Sequence, residues 1–229
     1  MKIIELNNVK KIFREAGFDV AAVNGVNLSF NQGEFTTIVG PSGSGKTTLL
    51  NLLGGLDKPN EGSIIIDNTD ITTLKPSKLI DFRMRNIGFV FQAYNLLPVL
   101  TARENTEFVM FLQGVPAKER HARSSELLRA VGLADRMDSR PAKLSGGQQQ
   151  RVAVARALAS KPTFVLADEP TANLDSKSAE TLIDIMQKLN HENGITFIFS
   201  THDQRVVNKA HRVIVLEDGK VVKDYNQDV

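Results

Sequence analysis

Apolar positions along the chain fall into short runs with two different periods. Phe35-Thr-Thr-Ile-Val39 is an apolar run that stops at Gly40, the pattern of a buried strand. Val26-Asn-Leu-Ser-Phe30 alternates apolar and polar side chains, and Gly33 marks a turn, so the first 40 residues read as short strands. Leu49, Leu50, Leu52 and Leu53 then recur at helical spacing, which predicts a helix starting near Lys46 and stopping at Gly54-Gly55. Strand signals follow at Ser63–Ile66 and Ile87–Phe91. From Thr101 to Leu158 the texture is helical. Thr101-Ala-Arg-Glu104 matches a capping box, and Ala117–Val131 and Gly146–Leu158 have helical composition. Strand runs return at Thr163–Ala167, Ile195–Ser200 and Arg212–Leu216, with Leu182, Ile185, Met186 and Leu189 at helical spacing between them. This alternation predicts an α/β domain with a largely parallel sheet. A helical block of about residues 95–160 is inserted between core segments of about 1–94 and 161–229.

Composition narrows the function. The chain has 229 residues, no internal repeat and no long linker, which favours a single domain able to bury its own core. The net charge of +2 gives no electrostatic argument for a nucleic-acid partner. With no cysteine, a disulfide framework, a cysteine zinc site and a thiol nucleophile are excluded. No secretory signal opens the chain, and no apolar run approaches the ~18–20 residues that span a bilayer. Direct membrane insertion is therefore not expected, and a role at a membrane would need another chain to hold this one there.

The chemistry starts at Gly40-Pro41-Ser42-Gly43-Ser44-Gly45-Lys46-Thr47-Thr48, which fits G-x-x-x-x-G-K-[ST] between a buried strand and a helix. Glycines let the backbone wrap closely and aim N–H groups at phosphate oxygens, and the helix N-terminus adds partial positive charge. Lys46 supplies a full charge for the β- and γ-phosphates of ATP, and the Thr47 hydroxyl is placed to ligate Mg²⁺. This loop alone fits a kinase, a GTPase or a motor equally well.

Phe164-Val-Leu-Ala-Asp168-Glu169 is an apolar strand ending in two acids, at the sheet edge where ligands bind. Asp168 is suited to holding Mg²⁺ through a water, and Glu169 to polarising an attacking water. Leu144-Ser145-Gly146-Gly147-Gln148 places a serine and two glycines at another helix start, a second anion site. One nucleotide does not need two such loops from one chain. The second makes sense if it covers a nucleotide held by another copy.

With these motifs the chain resembles the nucleotide-binding subunit of an ATP-binding cassette (ABC) transporter over essentially its whole length. Gly40–Thr47 matches the Walker A motif, Leu144–Gln148 the signature and Phe164–Glu169 Walker B. Gln92 matches the Q-loop, Ala172-Asn-Leu-Asp175 the D-loop and His202 the switch histidine. Phe13 sits where the family places an adenine-stacking aromatic, often tyrosine, so only a hydroxyl is lost. The resemblance implies a P-loop NTPase core with an N-terminal antiparallel β region and an inserted helical subdomain. It also implies Mg²⁺ held by Thr47, Asp168 and Gln92, and catalysis by Glu169, His202, Lys46 and Gln92. ATP would be sandwiched in a homodimer, with an integral membrane permease as partner at the cytoplasmic face of the cell membrane. Leu53-Gly-Gly-Leu-Asp57 and Gly88–Pro98 with Thr101–Asn105 are most similar to the subfamily serving lipoprotein-release and macrolide-export type permeases. A soluble relative acting on nucleic acid or the ribosome is the alternative. A DNA-repair ATPase of this kind would carry a long heptad insertion, and a ribosomal one two cassettes; neither is present. The cargo stays open among lipoprotein, drug, peptide and lipid. Of the remaining residues, His121, His191 and His211 read as solvated. The apolar cluster Tyr94, Leu96, Leu97, Pro98, Val99 and Leu100 reads as the rim of a groove for a cytoplasmic helix of the permease.

Overall fold

In a computed structural model, residues 1–15 and 17–227 are described, apart from the side chains of Glu15 and Phe18. The chain runs β1 (Lys2–Glu15), β2 (Phe18–Asn31), β3 (Phe35–Val39), α1 (Lys46–Leu53), β4 (Glu61–Ile66), β5 (Thr69–Asp70), α2 (Pro76–Asn86) and β6 (Ile87–Val90). It continues α3 (Ala102–Leu112), α4 (Ala117–Ala130), α5 (Gly146–Ala159), β7 (Phe164–Asp168), α6 (Ser176–Asn193), β8 (Thr196–Ser200), α7 (Gln204–Lys209), β9 (Arg212–Glu217) and β10 (Lys220–Asn226). Six strands form one sheet in the order β10-β9-β3-β8-β7-β6, parallel except for the β10–β9 hairpin. Four form an antiparallel sheet, β2-β1-β4-β5.

The central strands read as continuous apolar runs because both faces of the larger sheet are covered. Successive residues point to opposite sides. Ile38, Phe164, Leu166 and Ile198 face one core, shared with α1 and the antiparallel sheet. Phe35, Val165, Ala167, Phe197 and Phe199 face the other, shared with α5 and α6. Helices α3, α4 and α5 lie between β6 and β7 in the chain and pack on one another, with Leu127, Leu128, Val152 and Leu158 buried. The Thr101 capping box forms as predicted.

Four elements depart from expectation. The short strands expected near the N-terminus are two 14-residue strands. Register shifts interrupt their pairing, which hides the period in the sequence. Helix α2 is not predicted because its apolar residues divide between two sides, Leu79 and Phe82 toward the core and Ile80 and Met84 toward the surface, with only Leu79 buried. Strand β10 was also missed: it is an edge strand with mostly exposed residues.

Candidate active site

The loop after β3 is shaped by steric necessity. Gly45 has φ 99°, and a Cβ there would lie 1.9 Å from the carbonyl oxygen of Ala22. Ala22 is left unpaired where Lys11 faces Val23 and Ile12 faces Ala21, so a bulge in β2 presses its carbonyl against the loop. Lys46 opens α1 and donates to the carbonyls of Gly40 (2.8 Å) and Pro41 (2.9 Å). Ser44 is buried, and its hydroxyl has no protein partner. Ser42, Gly43, Gly45, Lys46, Thr47, Thr48, Ala22 and Glu169 line one cavity of about 290 Å³.

The β7 acids reach this loop because β7 lies beside β8, which lies beside β3, all pointing the same way. The Thr47 hydroxyl donates to Asp168 Oδ1 at 3.2 Å. Burial raises the Asp168 pKa above the usual carboxylate value, against the opposing pull of the Thr47 hydrogen bond and the Lys46 charge. Glu169 has φ 45°, a conformation rare for a residue with a side chain. Its N–H donates to Ser200 O at 2.8 Å. Its carboxylate accepts from the Thr201 hydroxyl (3.2 Å) and lies 2.8 Å from His202 Nδ1. The Glu169 side chain is 18% exposed and that of His202 is 76% exposed, so a largely buried acid meets a ring open to solvent. Asp203 caps α7 and accepts from the Thr171 hydroxyl at 2.8 Å and from Arg205.

The second loop lies apart. Ser145 caps α5 by accepting from Gln148 N, while Gln148 Oε1 accepts from Ser145 N. A Cβ on Gly147 would meet Ser178 at 2.9 Å, so the loop lies flush against the start of α6. Ser145 and Gly147 line a cavity of about 300 Å³ with Arg151, Lys177, Ser178 and Thr181. It shares no lining residue with the cavity at Lys46. Gly146 and Gln148 adjoin it in sequence.

Gln92 is exposed and does not line the cavity at Lys46; its carbonyl accepts from Asn173 Nδ2 at 3.1 Å. The chain beyond it is pinned by Arg156, which donates to Tyr94 O (3.0 Å) and Asn95 O (2.5 Å). Burial lowers the Arg156 pKa from its ordinary value. Phe13 is 39% exposed, pairs with Val20 across the β1–β2 hairpin, and has the Lys11 ammonium 5.2 Å from its ring centre. Sequence reasoning missed Thr201, Gln150 and Arg156. His121 is exposed as expected, but its Nδ1 lies 2.6 Å from the buried Glu107.

A family profile described as ABC transporter matches residues 23–172. This chain belongs to the ABC transporter family, as its ATP-binding, ATP-hydrolysing subunit. An uncharacterized ABC transporter ATP-binding protein of Thermotoga maritima is 49% identical over 220 residues, covering 96% of this chain and 94% of that protein. The macrolide export ATP-binding/permease protein MacB of Brucella melitensis is 45% identical over 222 residues, 97% of this chain but 34% of that longer protein. Among solved structures, the dimeric post-hydrolysis state of the ATP-binding cassette MJ0796 bound to ADP and Pi superposes with a TM-score of 0.90. It is 43% identical and covers 99% of this chain and 100% of that one. The cassette fold is thus a mixed α/β core with an antiparallel sheet and a helical subdomain. The subfamily resemblance drawn from Leu53–Asp57 and Gly88–Pro98 agrees with the macrolide-export relative.

Proposed function

We propose that two copies of this chain pair head-to-tail with two-fold symmetry and close over two Mg·ATP molecules, driving a membrane permease. The separation of the two phosphate-binding loops carries this reading. The cavity at Lys46 and the one at Ser145 have no residue in common, so one nucleotide does not fill both within one chain. A two-fold partner would place each Ser145 loop over the other copy's Lys46 loop. That the similar cassette MJ0796 is dimeric with ADP and Pi bound supports pairing of two copies. Ser145 can still donate its hydroxyl proton to a phosphate while capping α5, and Gln148 keeps its amide N–H₂ free.

In hydrolysis, Glu169 accepts a proton as water attacks the γ-phosphorus in line with the leaving β-phosphate oxygen. That bond breaks, giving ADP and phosphate. Lys46 leaves its own loop carbonyls for the β- and γ-phosphates, and His202 turns from Glu169 toward the γ-phosphate. Thr47 and Asp168 form a hydroxyl–carboxylate pair of the kind Mg²⁺ shares with nucleotide phosphates and water. Bound there, Mg²⁺ would neutralise phosphate charge. Gln92 would join this set only after the segment beyond β6 moves inward. Phe13 would stack on adenine.

The permease contact is best supported at a groove of about 420 Å³ lined by Leu56, Ile80, Met84, Phe89, Phe91, Asn95, Val109, Leu112 and Arg156. Of the cluster Ala93–Leu100, only Asn95 reaches it. Leu96 packs on the core, and the Tyr94 hydroxyl turns toward Asn173 O and Gly146. Those two side chains are therefore not the docking residues. The groove lies where helices of about 95–160 meet the core, so a permease helix seated there would feel both. No described helix is long and apolar enough to cross a membrane. The cassette would sit at the cytoplasmic face of the membrane through its permease, with export or extraction of a drug, lipid or lipoprotein as its task.

Mixing a Ser145→Arg chain with a Lys46→Ala chain tests the composite site. Half the pairs in an equal mixture are mixed dimers with one intact site, so ATPase activity should recover to about a quarter of wild type. A mixture no more active than either variant alone would defeat the head-to-tail reading.

A further inference from the structure

We propose that Gln150 is a positioning residue for ATP hydrolysis, joining the Ser145 helix to both the Gln92 segment and the Glu169 strand end. Gln150 lies in α5, about 7.5 Å along the helix axis from Ser145 at the rise of an α-helix. Its side chain is fully buried. One amide nitrogen donates to Phe91 O at 3.1 Å and to Pro170 O at 2.9 Å. Phe91 immediately precedes Gln92, and Pro170 immediately follows Glu169. Strands β6 and β7 are parallel neighbours, so these carbonyls stand side by side at one edge of the sheet. Gln150 closes that edge from below with a single planar group.

The chemistry of the position argues for a role beyond filling space. The face of α5 that Gln150 shares carries Ala153, Val154 and Ala157, all buried. A polar side chain among them pays for its desolvation only through the bonds it makes. Gln150 makes them with its nitrogen alone; its Oε1 is buried without a donor. Methionine would fill the same length and remove that orphan acceptor, but it would supply no donor to the two carbonyls. What an amide adds is a distance constraint between the Ser145 helix, the Gln92 segment and the strand end carrying Glu169. When a partner's nucleotide engages Ser145, the pull on α5 reaches the strand end of Glu169 through Gln150, which shares the hold on the Gln92 segment with Arg156 of the same helix. The binding loop at Lys46 is not in the path.

This inference rests on the roles given above to Glu169 and Gln92, and the test separates the two. In Gln150→Met, ATP affinity and KM should stay within about twofold of wild type. The kcat should fall by roughly 10- to 100-fold, as for a displacement of catalytic groups by up to about 1 Å. In Gln150→Glu the introduced carboxyl donates only when protonated, and burial beside two carbonyls raises its pKa. Its kcat relative to wild type should therefore rise as pH is lowered from about 8.5 to about 6, while the Gln150→Met ratio stays flat. A mere packing defect would affect both variants alike at every pH. Circular dichroism and melting temperature establish that both variants fold. Wild-type kcat in Gln150→Met, or a flat ratio in Gln150→Glu, overturns the proposal. Glu169→Gln measured alongside reports on the underlying reading: full activity there removes Glu169 as the base, independently of what Gln150 does.

Discussion

Glu169 is held from three sides, by Ser200 O on its N–H, by the Thr201 hydroxyl and by His202 on its carboxylate. As the proposed base, a carboxylate so held makes a sharp prediction. Glu169→Gln should lower ATP turnover by roughly 10²–10⁴-fold while nucleotide binding persists, read from phosphate release and from titration with a fluorescent ATP analogue. Lys46→Ala should act the other way, weakening binding, because the ammonium now satisfied by Gly40 O and Pro41 O is the one offered to phosphate. Asp203 allows a test by pH. Burial alone would raise its pKa, but the hydrogen bonds from Arg205 and Thr171 together outweigh it and bring the value down to about 2. An unfolded chain titrates near 4. The ionised Asp203 therefore stabilises the fold fully above pH ~4, and this contribution disappears as pH falls toward 2. Asp203→Asn should be less stable than wild type by a constant margin above pH ~4, and the two should converge near pH 2 in urea melts. A gap that persists at pH 2 would mean the pairing has another origin.

At the scale of elements, the groove between α2, β6 and α3 adds a second apolar surface beside the Ala93–Leu100 cluster, whose Leu97 (40%) and Val99 (72%) are also exposed. Ile80 is 57% exposed and Leu112 is 55% exposed, and both apolar side chains line this groove. Neither belongs to the dense apolar stretch that draws attention in the sequence. Exposed apolar patches of this kind are kept for partners. Ile80→Glu and Leu112→Glu should leave the isolated cassette folded, with unchanged basal ATPase activity. They should abolish copurification with the permease from detergent and any permease-dependent stimulation. Normal assembly in both variants would move the docking surface elsewhere.

For the whole molecule, the expected consequence of two incomplete sites is dimerisation driven by substrate. Glu169→Gln with Mg·ATP should elute as a species of about twice the 25.2 kDa chain mass, and return to monomer when ATP is removed. The sequence carried the strand-and-helix alternation because the core strands are buried on both faces and α1 keeps its leucines on one side. It carried the phosphate loop because Gly45 and Lys46 are demanded by backbone space and charge. It did not carry α2 or β10, whose residues are largely solvated, nor the bulge at Ala22, which has no compositional mark. The join made by Gln150 depends on which carbonyls meet at the sheet edge, information held by topology rather than by any local run.

The left-handed backbone at Glu169 also bears on how improved versions of this cassette should be sought. An ordinary residue in that region is less stable than glycine by about 1–2 kcal/mol. A library sorted for heat resistance alone would therefore enrich Glu169→Gly and Glu169→Asn, variants that relax the backbone and forfeit the proposed base. Their melting temperatures should exceed that of the parent while their turnover vanishes. Directed evolution of this chain thus needs a selection on hydrolysis at every round, since heat tolerance by itself rewards the loss of its function.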